Sequence, residues 1–410
     1  MDFFNLASLL IVLASLFAFM NLKTFKLPTT IGVMLFGLIF SLGLILLQKL
    51  GFNLQDKANI ILASVHFERA LLDGMLSFLL FVGALHINLE DLLKQKGPVL
   101  SFASIGLVVS TLIIGYSTYF ILPFLGIELS LLYCLIFGAL ISPTDPIAVL
   151  ALLKQAKAPK SLETKIAGES LFNDGVGVVL FIILIDLLKS NEAFSVSSLF
   201  ITFAHEALGG AFIGLITGYI AYRLIMSVDD YKVEILLSLG LVMGGYSLAQ
   251  YFHCSGPIAM VISGLLIGNQ GRRFAMSKKT KEHLDTFWEL IDEILNAVLF
   301  LLIGLELIVI FDEQSYWLAG LIMIPIVLAA RYISIGIPVQ LLKRIRSFSP
   351  HITRLMTWSG LRGGISIALA LSLPEGKERN LILTITYMIV IFSIVVQGLS
   401  FSKLLRKSLS

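Results

Sequence analysis

The sequence predicts an all-α, polytopic membrane protein with about 13 transmembrane helices. Three observations lead to this fold class: the composition, the length of the apolar segments and the distribution of basic residues between them. Of the 410 residues, 57% are hydrophobic and 14% are charged, and the mean hydropathy is +0.93. Soluble domains carry about 25% charged residues. A soluble core cannot cover this much apolar surface, whereas a bilayer solvates it.

Apolar segments long enough to cross a bilayer follow one another along the chain. A helix of about 20 residues spans the hydrocarbon core. The 13 segments are 3–22, 27–48, 69–90, 98–123, 129–153, 162–189, 196–226, 231–251, 254–270, 281–311, 315–342, 350–374 and 378–405. The first follows an acidic residue, which indicates a retained span and not a cleaved signal peptide. We expect one transmembrane domain over 1–410, embedded from about 3 to 405, without a soluble regulatory domain.

Basic residues are concentrated on one side of the membrane that this count defines. The odd-numbered connections and the C-terminal tail carry 21 Lys and Arg residues, and the even-numbered connections carry 5. Because basic loops remain in the cytoplasm, we expect an outer N-terminus and a cytoplasmic C-terminus, in the inner (cell) membrane. The net charge is only +3, and no block of like charges indicates nucleic acid as a partner. Membrane lipid is the expected surrounding.

Two segments carry helix-breaking residues at their centres. The fifth contains Ser-Pro-Thr-Asp-Pro at 142–146, and the twelfth contains Ser-Gly-Leu-Arg-Gly-Gly at 359–364. Proline removes a backbone donor, and backbone freed at membrane depth must be covered by protein or line a cavity. Two kinked helices without function are one explanation. Paired interruptions in oppositely directed segments favour the inverted repeats of a secondary transporter, with Asp145 and Arg362 offsetting the half-helix dipoles.

The sixth segment carries two neighbouring polar stripes. Glu169 and Asn173 are four residues apart, and so are Ser170 and Asp174. A carboxylate with a hydroxyl, joined by backbone carbonyls freed near Thr144, suits a small hard cation such as Na⁺. A carboxylate in a cavity of low dielectric constant also binds protons readily. Competition between proton and cation at Asp174 would be the basis of exchange.

Glu169 is the weaker candidate for an ion ligand, because a second nearby carboxylate would repel the first. Arg331 lies in the middle of the eleventh segment, where an unpaired charge is expensive. We therefore expect a buried Glu169–Arg331 ion pair. The alternative, an Arg331 side chain that extends to the membrane surface, fits its central position poorly.

The same motifs carry a family resemblance. The stretches at 142–146, Gly-Glu-Ser-Leu-Phe-Asn-Asp at 168–174 and Gly-Leu-Arg-Gly at 360–363 resemble the monovalent cation:proton antiporter family, in the branch of prokaryotic and animal sodium/proton exchangers. The resemblance implies a homodimer with a dimerisation bundle and a moving core of six helices. It also implies one-for-one electroneutral exchange, because the motif has Asn-Asp where other members have two aspartates.

The resemblance also assigns roles to residues. Asp174 would alternate between proton and cation, with oxygens from Ser170 and from the backbone at Thr144. Asp145 and Asn173 would hold the crossed chains in place.

One position departs from the family pattern. Many relatives carry an acidic residue where Val82 stands within Leu-Phe-Val-Gly-Ala-Leu. Glu68 and Asp73 are candidates to replace that acid from the same segment, and a third alternative is that nothing replaces it. The cation preference is therefore left open.

The leading hypothesis is exchange of Na⁺, with Li⁺ as a second cation, for H⁺. Potassium/proton exchange and a passive cation channel are the alternatives. No His-Glu-x-x-His or Gly-x-Gly-Asp motif indicates an intramembrane enzyme, and no cofactor is expected besides the transported ions. Four acidic residues open the tenth segment, where we expect them to attract cations to a cytoplasmic funnel: Asp285, Glu289, Asp292 and Glu293.

Overall fold

A computed structural model describes residues 3–50, 67–156, 158–189, 196–310, 316–344, 348 and 351–409. Across these ranges the regular structure is helical, so the predicted all-α class is confirmed. The helices, some with internal π-helical or 3₁₀ turns, are α1 (Phe3–Lys23), α2 (Thr29–Lys49), α3 (67–85), α4 (Leu89–Lys94), α5 (96–125), α6 (Leu131–Ile141), α7 (Ile147–Gln155), α8 (Lys160–Lys189), α9 (Val196–Met226), α10 (Tyr231–Tyr251), α11 (256–275), α12 (Lys278–Ile310), α13 (Trp317–Leu342), α14 (Ile352–Trp358), α15 (Gly364–Leu371) and α16 (377–409).

Each predicted apolar segment coincides with one helix or with a pair of shorter ones. Among the described helices, eight are long and apolar enough to cross a membrane by length and composition. These eight are α1, α2, α5, α8, α9, α10, α13 and α16. The chain is therefore a polytopic membrane protein, and the number of 13 spans stays a prediction.

The fifth and twelfth segments are each divided into two half-helices, as predicted. The residues 142–146 separate α6 from α7, and 359–363 separate α14 from α15. The two interruptions cross, and the Asp145 N–H donates to the Leu361 carbonyl at 2.8 Å in an isolated antiparallel bridge. The prediction of two broken, crossing helices is confirmed.

Apart from the short α4, the helices pack in two groups. The first, which we call the crossing bundle, consists of α5–α8 and α13–α16; the second, the flanking bundle, consists of α1–α3 and α9–α12. Most helix contacts are made within a group, and α3, α8, α12 and α15 are among the helices that join the groups. The crossing bundle corresponds to six predicted segments, since each pair of half-helices occupies one of them.

Close packing of α2 on α12 shows how small residues build the flanking bundle. The Ser41 hydroxyl lies 2.8 Å from the Gly304 carbonyl of the opposite helix. A Cβ added to Gly304 would lie 2.8 Å from the Met34 carbonyl oxygen and 2.9 Å from the Gly37 Cα. Backbone approach of this kind is available only to glycine, so the α2–α12 distance depends on Gly304.

We expect Gly304→Val to lower the thermal unfolding temperature of the purified protein, because the added side chain forces α2 away from α12. Overpacking of this kind costs about 1–3 kcal/mol. The matched control is Gly240→Val on α10, because a Cβ there meets no atom of the described chain within 4 Å. Equal unfolding temperatures for the two variants would contradict this packing.

Candidate ion-binding site

The break between α6 and α7 lies against α8. The Thr144 hydroxyl is 2.9 Å from the Ser170 hydroxyl and accepts a hydrogen bond of 2.9 Å from the Asn173 side-chain nitrogen. The Thr144 N–H donates to the Asn173 side-chain oxygen at 3.4 Å. One amide thus contacts both the backbone and the side chain of Thr144, and all three residues are buried. Asn173 fixes the interrupted chain against α8.

Asp174 follows Asn173 on α8, one turn after Ser170. The residue is 8% exposed, and no group of the described chain donates a hydrogen bond to its carboxylate. The charges that act on it are those of Asp145 and Glu169, both negative. A buried carboxylate without a donor or a cationic partner needs a proton or a metal cation to offset its charge.

The Asp145 carboxylate lies where two half-helices begin. Its Oδ1 accepts a hydrogen bond of 2.9 Å from the Ile147 N–H at the start of α7. A Cβ added to Gly363, the residue before α15, would lie 2.8 Å from the Asp145 Cβ. The positive dipole ends of α7 and α15 therefore approach one negative side chain.

Arg362 contacts the C-terminal end of α6, which is the negative end of that helix dipole. Its Nη1 donates to the carbonyls of Ser142 and, at 2.9 Å, Pro143, which follow the last turn of α6. Pro146 has no N–H to bond the Ser142 carbonyl in helical register. The buried Arg362 guanidinium supplies the missing donor and a positive charge at the negative dipole end.

Glu169 forms an ion pair with Arg331 of α13. The Arg331 Nη1 and Nη2 donate to the two Glu169 carboxylate oxygens at 2.5 and 2.8 Å. The exposed fractions are 1% for the Glu169 side chain and 5% for that of Arg331. Gly360 makes room for the guanidinium, because a Cβ there would lie 2.7 Å from the Arg331 Nε. The pair joins α8 to α13 and includes no residue of the Thr144 contact.

Val82 is buried on α3, close to α8. A Cβ added to the adjacent Gly83 would lie 3.5 Å from the Leu171 Cδ1. Glu68 lies near the start of α3, well before Val82 in the helix. The side chain of Asp73, the other candidate replacement, lies outside the described residues.

Sequence reasoning missed two polar groups near the crossing. The Ser393 hydroxyl accepts a 2.8 Å hydrogen bond from the Arg362 N–H, and Asn296 is 2% exposed on α12. Both are lone polar residues in apolar segments, the signal by which they could have been found.

Two broken helices that cross beside buried carboxylates define the architecture of a secondary transporter. The family model described as "Sodium/hydrogen exchanger, transmembrane" matches residues 9–407, and the chain belongs to this family. The resemblance inferred from the motifs is confirmed.

Several relatives cover almost the full length of the chain. It is 46% identical over 408 residues to the Na(+)/H(+) antiporter NhaP of Pseudomonas aeruginosa, covering 98% of this chain and 96% of the relative. It is 37% identical over 390 residues to the Na(+)/H(+) antiporter NhaH of Halobacillus dabanensis, covering 94% and 93%. The structure of the sodium proton antiporter MjNhaP1 from Methanocaldococcus jannaschii at pH 8 has the same fold, with a TM-score of 0.78, 21% identity and 98% of each chain covered.

We expect Glu169→Gln to destabilise the protein, because it leaves the buried Arg331 charge without its partner. Loss of one member of a buried pair costs about 3–5 kcal/mol. The measurement is the thermal unfolding temperature in detergent, together with abundance in the membrane. Glu163→Gln, in the first turn of the same helix, is the control and should leave both unchanged.

The double variant Glu169→Gln/Arg331→Met tests whether the loss of stability comes from the unpaired Arg331 charge or from any substitution in this region. Removing both charges should recover much of the lost stability, since no unpaired charge then remains buried. A double variant no more stable than Glu169→Gln alone would argue against the pair as the cause.

Proposed function

We propose that this protein is a secondary active transporter that exchanges Na⁺ for H⁺ across the cell membrane, with Li⁺ as a second cation. The observation that carries the proposal is Asp174, a buried carboxylate to which no described group donates a hydrogen bond, beside an interrupted helix. The names of the relatives support the choice of ions. The family consists of transporters, and no enzymatic activity or cofactor is proposed.

Asp174 is the group that binds Na⁺ and H⁺ in turn. With the carboxylate ionised, Na⁺ would take oxygens from Asp174, from the Ser170 hydroxyl and from Thr144, which lies 2.9 Å from Ser170. Protonation removes the charge that holds the cation. Because Asn173 beside it is uncharged, one proton would leave for each Na⁺ bound, and the exchange would be electroneutral.

Asp145, Asn173 and Arg362 have a positioning role in this proposal. Asn173 contacts Thr144 on two sides, and Asp145 and Arg362 carry charges opposite to the helix ends they contact. Their bonds would keep the Thr144 oxygens in place against α8 when the site is empty. The Glu169–Arg331 pair holds α8 to α13, so the site would move as one rigid unit.

The wider arrangement follows the charge distribution and the family. We propose a homodimer in which the flanking bundle makes the subunit contact and the crossing bundle moves against it. The single transmembrane domain lies in the inner membrane with its N-terminus outside and its C-terminus in the cytoplasm, as the bias of Lys and Arg supports. Exchange in this orientation would serve regulation of cytoplasmic pH and Na⁺.

The test is proton movement in proteoliposomes with an imposed Na⁺ gradient. We expect Na⁺-driven proton flux in the wild type and none in Asp174→Asn, which cannot exchange a proton. Asp186→Asn, in an exposed position on the same helix, should retain the wild-type flux. Full flux in Asp174→Asn would reject the site. Flux driven only by K⁺ would establish potassium/proton exchange, and cation current without proton coupling would establish a channel.

Competition between Na⁺ and H⁺ at one carboxylate also sets the pH dependence of the apparent KM for Na⁺. In the acid range, where protons occupy most copies of Asp174, the apparent KM for Na⁺ should rise about tenfold for each unit by which pH falls. In the alkaline range, where Asp174 is ionised, the apparent KM should become constant. Initial rates measured over a matrix of pH and Na⁺ concentration test this; an apparent KM independent of pH would show that the ions use separate sites.

A further inference from the structure

A polar stripe on α12 leads from the start of this helix toward the crossing of the broken helices. Successive members are four, three and four residues apart, the spacing of one helical face. The stripe consists of Asp285, Glu289, Asp292 and Asn296. Leu299 continues this face, and a Cβ on Gly364, at the start of α15, would lie 3.0 Å from its Cγ. The face therefore points at the N-terminus of α15, next to Asp145.

Exposure falls along the stripe from Glu289 onward. Asp285, in its ion pair, is half-buried, Glu289 is exposed, Asp292 is half-buried and Asn296 is 2% exposed. Beyond it, the five consecutive residues from Leu299 to Ile303 are each at most 3% exposed. The stripe ends where α12 becomes sealed by packing, so Asp292 and Asn296 occupy the inner end of an access route.

The members of the stripe differ in how their charges are offset. Asp285 forms an ion pair with Arg272. Asp292 forms no ion pair with a described residue, and the charged groups that act on it are Asp145, Glu293 and Glu289, all of them negative. This position therefore attracts a cation from the solvent more strongly than the neutralised start of the stripe does.

Asn296 provides a second, independent observation. Its amide interacts with the Asp292 carboxylate one turn earlier. Its side-chain oxygen is buried and accepts no hydrogen bond from any described group, while its nitrogen faces Asp292. A buried carbonyl oxygen without a donor is costly. A half-turn of the amide, which exchanges its nitrogen and oxygen, would place the oxygen beside the Asp292 carboxylate when a cation binds there. Carboxylate and amide oxygens are ligands that a small hard cation accepts.

We propose that Asp292 and Asn296 form a second cation site, which Na⁺ occupies on its way to Asp174. The inference rests on the proposed Na⁺/H⁺ exchange. With two protein ligands, the ion keeps much of its hydration shell and binds weakly, which suits a site of passage. The site belongs to the flanking bundle and Asp174 to the crossing bundle, and the charge of Asp145 acts on both Asp292 and Asp174.

The test uses the full-length protein in proteoliposomes of known orientation, with Na⁺ varied on one side at a time. Asp292→Asn should raise the apparent KM for Na⁺ about tenfold on the side where α12 begins. The KM on the opposite side and the maximal rate should remain unchanged. Asn296→Leu, which removes the oxygen but no charge, should raise the same KM, and Asp292→Glu should restore most of the affinity.

The matched control is Glu293→Gln. Glu293 is the next residue, carries the same charge and is exposed on another face of α12, so it tests attraction by charge without ligation. A KM increase in Asp292→Asn and Asn296→Leu but not in Glu293→Gln supports the site. An equal increase in Glu293→Gln, or an unchanged KM in both Asp292→Asn and Asn296→Leu, overturns it. Failure of the proposed function would appear separately, as absence of Na⁺-driven proton flux in the wild type.

Discussion

The crossing of two interrupted helices in the interior of a membrane protein is the constraint on which the rest of this structure depends. Each interruption leaves backbone groups without helical partners, and the bilayer offers no water to satisfy them. The chain solves this with its own charges: Asp145 accepts from the start of α7, and Arg362 donates to the carbonyls after α6. The bridge from Asp145 to Leu361 joins the two interruptions directly. The interrupted chain is thereby stabilised in the buried interior of the protein, against α8.

The same constraint explains why five charged residues near the crossing have different roles. Arg362 and Asp145 are committed to helix ends, and Glu169 and Arg331 to each other. Asp174 is left without a hydrogen-bond donor among the described residues. A buried ion pair contributes little net stability but is costly to break, so the Glu169–Arg331 pair acts mainly to specify how α8 and α13 fit together. Exchange requires one carboxylate that is free to change its partner, surrounded by others that are not.

The sequence was sufficient for the elements whose cause is local. Prolines and glycines marked the interruptions at 142–146 and 359–363, and four-residue spacing placed Ser170 and Asp174 on one face of α8. It was insufficient where the cause is tertiary. Arg362 bonds the Ser142 carbonyl, and the amide of Asn173 bonds both the backbone and the side chain of Thr144. Both contacts depend on how separate helices pack together, which the sequence of a single segment does not reveal. The role of Gly360, which admits Arg331, is of the same kind.

The division into two bundles separates the steps that an exchanger must keep apart. The crossing bundle carries Asp174 on α8, and the contact between Thr144 and Ser170 lies within that bundle, so this contact would persist if the bundle moved as proposed. The flanking bundle carries Asp292 and Asn296, and in the proposed exchange their distance to Asp174 would change in the same motion. The contact of Leu299 with Gly364 brings α12 to the crossing in this structure, and a cation would pass from Asp292 to Asp174 in this arrangement. In the opposite arrangement of the proposed cycle that contact would be lost, and Asp174 would open to the other side without a continuous path through the membrane.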